Sequence, residues 1–295
     1  MLPNLLPTNG FNKLVSGRHG VILCNENDTV VGQSALHYGE YFESEVNVFR
    51  TLIRPGAHVA DLGANIGMHT LALARVVGPA GWVYAFEPQR VVFQTLCANI
   101  ALNSLTNVDC ENLAVTAASG LIPIEELDHT APGNFGGLEL GTSATRRTVR
   151  GVTLDEYLAG RHLDFMKIDI QGMEEDCLIG ARETLKRCKT TIYMENDQPE
   201  KSPSLIALLH QLGYSAYWHM PIFFNPANFA GSTENIHNFG YIDSNGPYLS
   251  CIGFAINMIC VDNTTGAEIA GLMKVTDVLE HPLKRDSHRF HPPRS

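Results

Sequence analysis

Residues 58–74 read HVADLGANIGMHTLALA: a five-residue apolar strand, a glycine loop and the opening of a helix. Gly63 and Gly67 let the backbone turn sharply and approach a ligand, and Asn65 between them tolerates unusual backbone angles better than most residues. The helix spans 67–77, and Gly78-Pro79-Ala80-Gly81 stops it. A second strand, WVYAFE at 82–87, ends in Glu87, 20 residues beyond Gly67. That is the spacing at which an acid receives ribose hydroxyls in nucleotide-binding sheets.

Outward from this core the alternation continues. A helix at 90–103 puts Val92, Leu96 and Ile100 on one face, and strands follow at 107–115 and 163–170. Helix 172–187, strand 190–196, helix 203–212 and strands 214–220 and 251–260 complete the series. Thr153 and Glu156 have the spacing of a helix capping box. Near-continuous apolar strands separated by helices predict a mostly parallel sheet with helices on both faces. The last two strands have no helix between them, which predicts an antiparallel edge strand.

Ahead of this domain (57–262), residues 19–24 and 29–36 read as two short strands. An amphipathic helix follows from about Glu40 to Ile53, with Phe42, Val46, Phe49 and Ile53 on one face. Residues 1–56 are therefore expected to form a hairpin and helix able to act as a lid. Residues 128–145 have no period and read as a loop or flap. Residues 221–250 are an irregular insert on the acceptor side, and 277–295 read as a disordered tail.

Composition narrows the function. The chain has 295 residues, 44% hydrophobic and 18% charged, so it can bury a sizeable core and is not disordered. Its net charge of −10 argues against nucleic acid as a partner. Seven cysteines without a C-x-x-C pair read as reduced thiols. The N-terminus lacks a basic segment followed by an apolar one, and the apolar run Tyr248–Cys260 is interrupted and too short for a bilayer. A cytoplasmic, membrane-free protein is expected; its oligomeric state is not readable.

The loop itself discriminates between ligands. A dinucleotide fingerprint G-x-G-x-x-G would need glycine where Asn65 and Met68 stand, to admit a pyrophosphate and pack the helix. S-adenosylmethionine has no pyrophosphate, and its ammonium group seeks an anion such as Asp61. The loop therefore favours S-adenosylmethionine over NAD, although a glycine loop taken alone can be no more than a tight turn.

A longer set of motifs resembles the FkbM-type S-adenosylmethionine-dependent methyltransferases. They are YGEYFESEV (38–46), HVADLGANIGMHTLALA (58–74), VYAFEP (83–88), NIALN (99–103), TLDEYL (153–158), DFMKIDIQGMEEDCLIGA (164–181), IYMEN (192–196) and FFNPANFAGSTENI (223–236). The resemblance runs from about residue 17 to 262, in the family's order. It implies an α/β Rossmann-like class I methyltransferase fold built on a mostly parallel seven-stranded sheet. It also implies Gly63, Ala64, Asn65 and Gly67 around the cofactor, Glu87 on its ribose, and Asn112 to Ala114 near the adenine. Family members commonly carry Lys-Ile-Asp-x-Glu-Gly, whereas this chain has Gln171 in the glutamate position, which hydrogen-bonds but cannot ionise.

Methyl transfer to a hydroxyl needs a group to take the proton. Asp169, ending the strand at 163–170, is one candidate base; capping the next helix is its alternative role. His219, ending the strand at 214–220, is the other, against an ordinary surface or core histidine; His69 reads as packing. Asp169, Glu195 and Asn196 end adjacent strands and form a candidate Mg²⁺ site. The set is similar to that of catechol-type O-methyltransferases, but Gly172 stands where those carry a lysine. Phe223, Phe224, Phe229, Phe239 and Tyr241 lie among Asn225, Asn228, Asn235 and Asn238 in the insert. That mix suits a polyhydroxylated acceptor or, equally, a packed loop. The expectation is O-methylation of a small hydroxylated molecule, with the resemblance implying a sugar or polyketide-type metabolite. N-methylation at the same site is the alternative; an NAD-dependent oxidoreductase and a non-catalytic cofactor-binding protein are the rivals.

Overall fold

The structure is a computed structural model and describes residues 6–7, 9–137, 147–238, 240–242, 247–285 and 290. A hairpin opens the chain, β1 (Asn12–Gly17) against β2 (Gly20–Asn25), followed by helices α1 (Val31–Tyr38) and α2 (Glu43–Leu52). The alternating core comprises β3 (His58–Leu62), α3 (Met68–Val77), β4 (Trp82–Phe86), α4 (Arg90–Leu102) and β5 (Val108–Glu111). Three short strands, β6 (Leu113–Val115), β7 (Gly120–Pro123) and β8 (Thr148–Val152), form a separate small sheet. Then come α5 (Leu154–Leu158), β9 (Phe165–Ile168), α6 (Glu174–Ile179), α7 (Arg182–Cys188), β10 (Thr191–Glu195), α8 (Ser202–Gln211) and β11 (Tyr214–His219). The remaining strands are β12 (Gly240–Ile242), β13 (Ser250–Ile252), β14 (Asn257–Asp262) and β15 (Met273–Lys274).

The main sheet has the order β15-β11-β14-β10-β9-β3-β4-β5. β5, β4, β3, β9 and β10 pair in parallel, and β14 runs antiparallel to both β10 and β11. This is the Rossmann-like class I methyltransferase architecture, with the chain doubling back on both sides of β3. The strand expected at the edge, β14, lies inside the sheet, and the antiparallel edge is instead the two-residue β15, an eighth strand outside β11. An interior strand needs apolar residues on both faces, and β14 is buried along its whole length.

Successive residues of β3 serve opposite cores. Val59 packs with Phe49, Leu73 and Val77 below α2 and α3, while Ala60 and Leu62 pack with Leu178, Leu185 and Leu205 below α6, α7 and α8. Val92, Leu96 and Ile100 of α4 close the first face against Ile22 of the hairpin.

Several sequence expectations shift. The segment 29–36 is helical rather than extended, because the Asp28 carboxylate accepts the N–H groups of Val30 and Val31 and starts α1. The hairpin uses 12–17 instead. Helix 172–187 is broken into α6 and α7. A Cβ on Gly180 would meet the Thr116 carbonyl at 2.1 Å, and the Asp155 carboxylate starts α7 by accepting from Glu183 and Thr184. Within the segment 277–295, expected as a disordered tail, His281 and Leu283 are buried and His281 meets the Asn196 carbonyl at 2.8 Å, while 286–289 and 291–295 lie outside the described residues. The flap expected at 128–145 lies partly outside the described residues, as does Phe239. Among the described residues no helix is long and apolar enough to cross a membrane.

Candidate active site

The carboxyl ends of β3, β4, β9 and β10 open into one cavity of about 370 Å³. Open α/β sheets bind ligands at this end of their strands, where the chain reverses direction. The loop after β3 forms its floor. Gly63 and Ala64 donate to the Phe86 carbonyl at 3.0 and 2.9 Å, which fastens the loop to β4. Gly63 has φ +76, Asn65 +50 and Gly67 +89, all left-handed. Glu87 organises this end: Oε2 accepts Asn65 N–H at 2.9 Å and Oε1 accepts Gln89 N–H at 2.8 Å. Burial nevertheless pushes its carboxyl up to about 7.

Ala64, Asn65, Glu87 and Ala114 all lie on the cavity wall, with Leu113 and Val115 beside Ala114. Asn112 does a different job, donating to the carbonyls of Glu87 and Pro88 and so fixing the turn after β4. Asp61 is not on the wall. It is fully buried behind the loop, accepting from Thr70 at 2.6 Å and standing 3.4 Å from the Lys167 ammonium. It is thus placed to hold Lys167 rather than to meet a ligand.

Asp169 does face the cavity, along with Glu87, Glu195 and Asp197. Its Oδ2 lies 3.4 Å from Lys167 Nζ, and its side chain keeps 33% of its surface exposed. Gln171 donates from Nε2 to Asp169 Oδ1 at 3.1 Å and to Glu195 Oε2 at 2.8 Å. Burial, with Asp169 second, raises the Glu195 carboxyl well above its ordinary range. Asp169 caps no helix, because α6 begins only at Glu174.

The proposed Mg²⁺ set does not assemble. Asn196 is buried and its amide donates to Ser202 Oγ at 2.8 Å, away from the two carboxylates. The Gln171 N–H groups are aimed at the oxygens a cation would need. Among the described residues no cluster of three His, Cys, Asp or Glu can hold a metal. His219 is also displaced, since it lies behind the wall at 2.8 Å from the Tyr193 hydroxyl. Tyr193 itself lines the cavity and receives Asn257 Nδ2 at 2.8 Å, and Asn257 also donates to Glu45 at 2.7 Å.

Lys167, Tyr193, Tyr41, Glu45 and His69 complete the wall and were not singled out for it from the sequence. A period-two reading would have found Lys167 and Tyr193, two residues before Asp169 and Glu195 on the same strand faces. Glu45 sat in a run of three acids with nothing to separate it. Glu40 binds Arg18, Asn225 and the Phe229 N–H, and Glu43 binds His19 and Arg50. Only Glu45 reaches the cavity, where burial lifts its carboxyl to about 8.

The insert contributes Phe223, whose ring lies 3.9 Å from that of Phe42. Asn225, Asn228 and Asn235 are engaged within loops or with Glu40, and Phe229 faces solvent. These amides therefore support a packed loop and not a row of acceptor contacts.

The FkbM methyltransferase domain profile matches residues 61–216, more than half of the chain. The chain belongs to the FkbM methyltransferase family. Methyltransferase sdnD of Sordaria araneosa is 25% identical over 190 residues, which cover 53% of this chain and 73% of that protein. A methyltransferase FkbM of Methylobacillus flagellatus superposes with TM-score 0.41 at 14% identity, over 73% of this chain and 50% of that one. The TYW2 protein of M. jannaschii, solved in complex with AdoMet, gives TM-score 0.44 at 15% identity over 87% of each chain. The FkbM match begins at Asp61 and ends inside β11, so it spans the glycine loop, Glu87, Asp169 and Glu195.

Proposed function

We propose that this FkbM-family methyltransferase transfers the methyl group of S-adenosylmethionine to a hydroxyl of a small molecule. The observation that carries the reading is one continuous cavity running from Glu87 to the carboxyl groups at the ends of β9 and β10.

The first half suits the cofactor. Glu87 offers carboxylate oxygens to ribose hydroxyls, and Leu113, Ala114 and Val115 offer an apolar wall to a flat ring. Gln89 Nε2 is buried on this wall without a protein partner, a spare donor for a ligand acceptor atom. When bound, S-adenosylmethionine supplies a methyl group on a sulfonium that departs as a neutral thioether. The chain's own part is to orient the acceptor and take its proton.

Asp169 is the best-placed base, the exposed carboxylate beside the loop. As the acceptor oxygen forms its bond to the methyl carbon, its O–H bond breaks and the proton passes to an Asp169 oxygen. The Lys167 ammonium stands 3.4 Å from that carboxylate, on its own strand. Tyr41, Phe42 and Phe223 shield the reacting half of the cavity from water. The family resemblance adds a sugar or polyketide-type metabolite as the acceptor class.

A thermal-shift titration with S-adenosylhomocysteine and, separately, NADH tests the cofactor. A ligand at about 100 times its dissociation constant adds about 2.7 kcal/mol, which raises the midpoint by a few degrees. A shift with NADH alone would overturn the reading. Methyl transfer to candidate acceptors, followed by mass spectrometry locating the label on oxygen or nitrogen, decides the reaction.

A further inference from the structure

Gln171 occupies an unusual place. It follows β9 in the left-handed region at φ +51, with Gly172 next at φ +87, so the chain folds back over the strand end. Its side chain comes to lie between the ends of β9 and β10, which are paired at Ile168 and Met194. One amide group thereby reaches two carboxyl groups, Asp169 at 3.1 Å and Glu195 at 2.8 Å.

The surroundings of the two acids differ. Asp169 faces Lys167 from its own strand, with Glu45 of α2 and Tyr41 before it also within electrostatic range. Glu195 faces Asp169, Asp197 after its own strand and Glu174 of α6, all acidic. A cation therefore stands on the Asp169 side only. An amide satisfies both carboxyl groups while binding no proton itself. A glutamate in its place could satisfy neither without a proton, and when ionised it would add a third negative charge.

Resting on the methyl-transfer reading above, we propose that Gln171 is a positioning residue. It holds Asp169 and Glu195 as a pair that carries one proton, on Glu195, so that Asp169 stays free to receive the acceptor's proton. Gln171 thus sets the proton count of the base.

Infrared difference spectroscopy at about pH 7, on the full chain saturated with S-adenosylhomocysteine, counts the protonated carboxyl groups. Glu45 and Glu87 also titrate near neutrality, so each variant is read as a difference from wild type. Glu195→Gln should remove one carboxylic-acid carbonyl band, and Gln171→Glu should add one. Unchanged acid bands in Glu195→Gln, or only a new carboxylate band in Gln171→Glu, overturns the proposal. With any acceptor that the wild type methylates, Gln171→Glu should lower kcat/KM about tenfold at about pH 6 and less than about twofold at about pH 9. A loss equal at both pH values marks a merely structural residue and also overturns it. Failure of the wild type to bind S-adenosylhomocysteine would instead strike the methyl-transfer reading, and the same spectra of the unliganded chain and variants then decide the proton count.

Discussion

Glu87 shows how one side chain can organise a ligand site before the ligand arrives. Its two oxygens are fixed by the N–H groups of Asn65 and Gln89, so it couples the glycine loop to the turn after β4. Glu87→Ala leaves both donors without that partner and removes the acceptor proposed for ribose hydroxyls. S-adenosylhomocysteine affinity should fall at least about tenfold, equivalent to about 1.4 kcal/mol, by calorimetric titration. Asp169 gives a contrasting prediction. Asp169→Asn should retain that affinity while methyl transfer falls about a hundredfold or more, because the amide cannot take a proton. The same assay should be indifferent to EDTA, since Asn196 is turned toward Ser202 and Gln171 donors cover the carboxyl oxygens. Loss of activity on chelation would restore a metal role.

At the level of elements, the crossing of the β3 loop over the end of β9 is the tightest joint in the site. A Cβ on Gly63 would stand 1.8 Å from the Asp169 carbonyl oxygen, with the backbone already at φ +76. Neither atom set is free to retreat, because Asp169 N–H bonds the Leu62 carbonyl at 3.0 Å. Gly63→Ala should therefore cost more than about 3 kcal/mol in urea unfolding, the range of a backbone clash combined with left-handed strain. The wild-type unfolding midpoint in this variant would refute the packing described for the loop. The insert is similarly fastened rather than loose. Glu40, Tyr38 and Arg18 tie residues 225–236 to the N-terminal segment through side-chain bonds, so the two pieces form a common wall.

At the scale of the whole molecule, three desolvated carboxyl groups shape the pH response. Burial raises Glu45 to about 8, Glu87 to about 7 and Glu195 well above its ordinary range. In the unfolded chain these groups titrate near 4.3. The folded state then holds protons that the unfolded state has released, so stability falls as pH rises toward about 8. Buried histidines work in the opposite sense at lower pH. His281 is lowered to about 4 by burial, so its contribution grows from there to about 6.5 and is flat above. Between about pH 6.5 and about pH 8 the acids act unopposed by these histidines. The thermal midpoint should decline over that interval, and Glu45→Gln should flatten the decline; a midpoint that rises there would contradict the assignment.

The alternation of strands and helices, the glycine loop and the acid after it were legible because they are local. Strand, loop and helix lie within about thirty residues and each obeys its own period. Gln171 was legible as a departure, though not its reach to Glu195, which arrives from a strand 24 residues away. The helix at 31–38 was misread because β-branched residues favour a strand until the Asp28 carboxylate supplies the start. Asp61 and His219 were placed correctly at strand ends but face Lys167 and Tyr193 rather than the cavity. The sequence by itself determined which chain segments form the sheet and which residues stand at its ligand-binding end. Only the tertiary structure decided which of those side chains line the cavity and which lie behind it, because orientation and burial arise from elements distant in sequence.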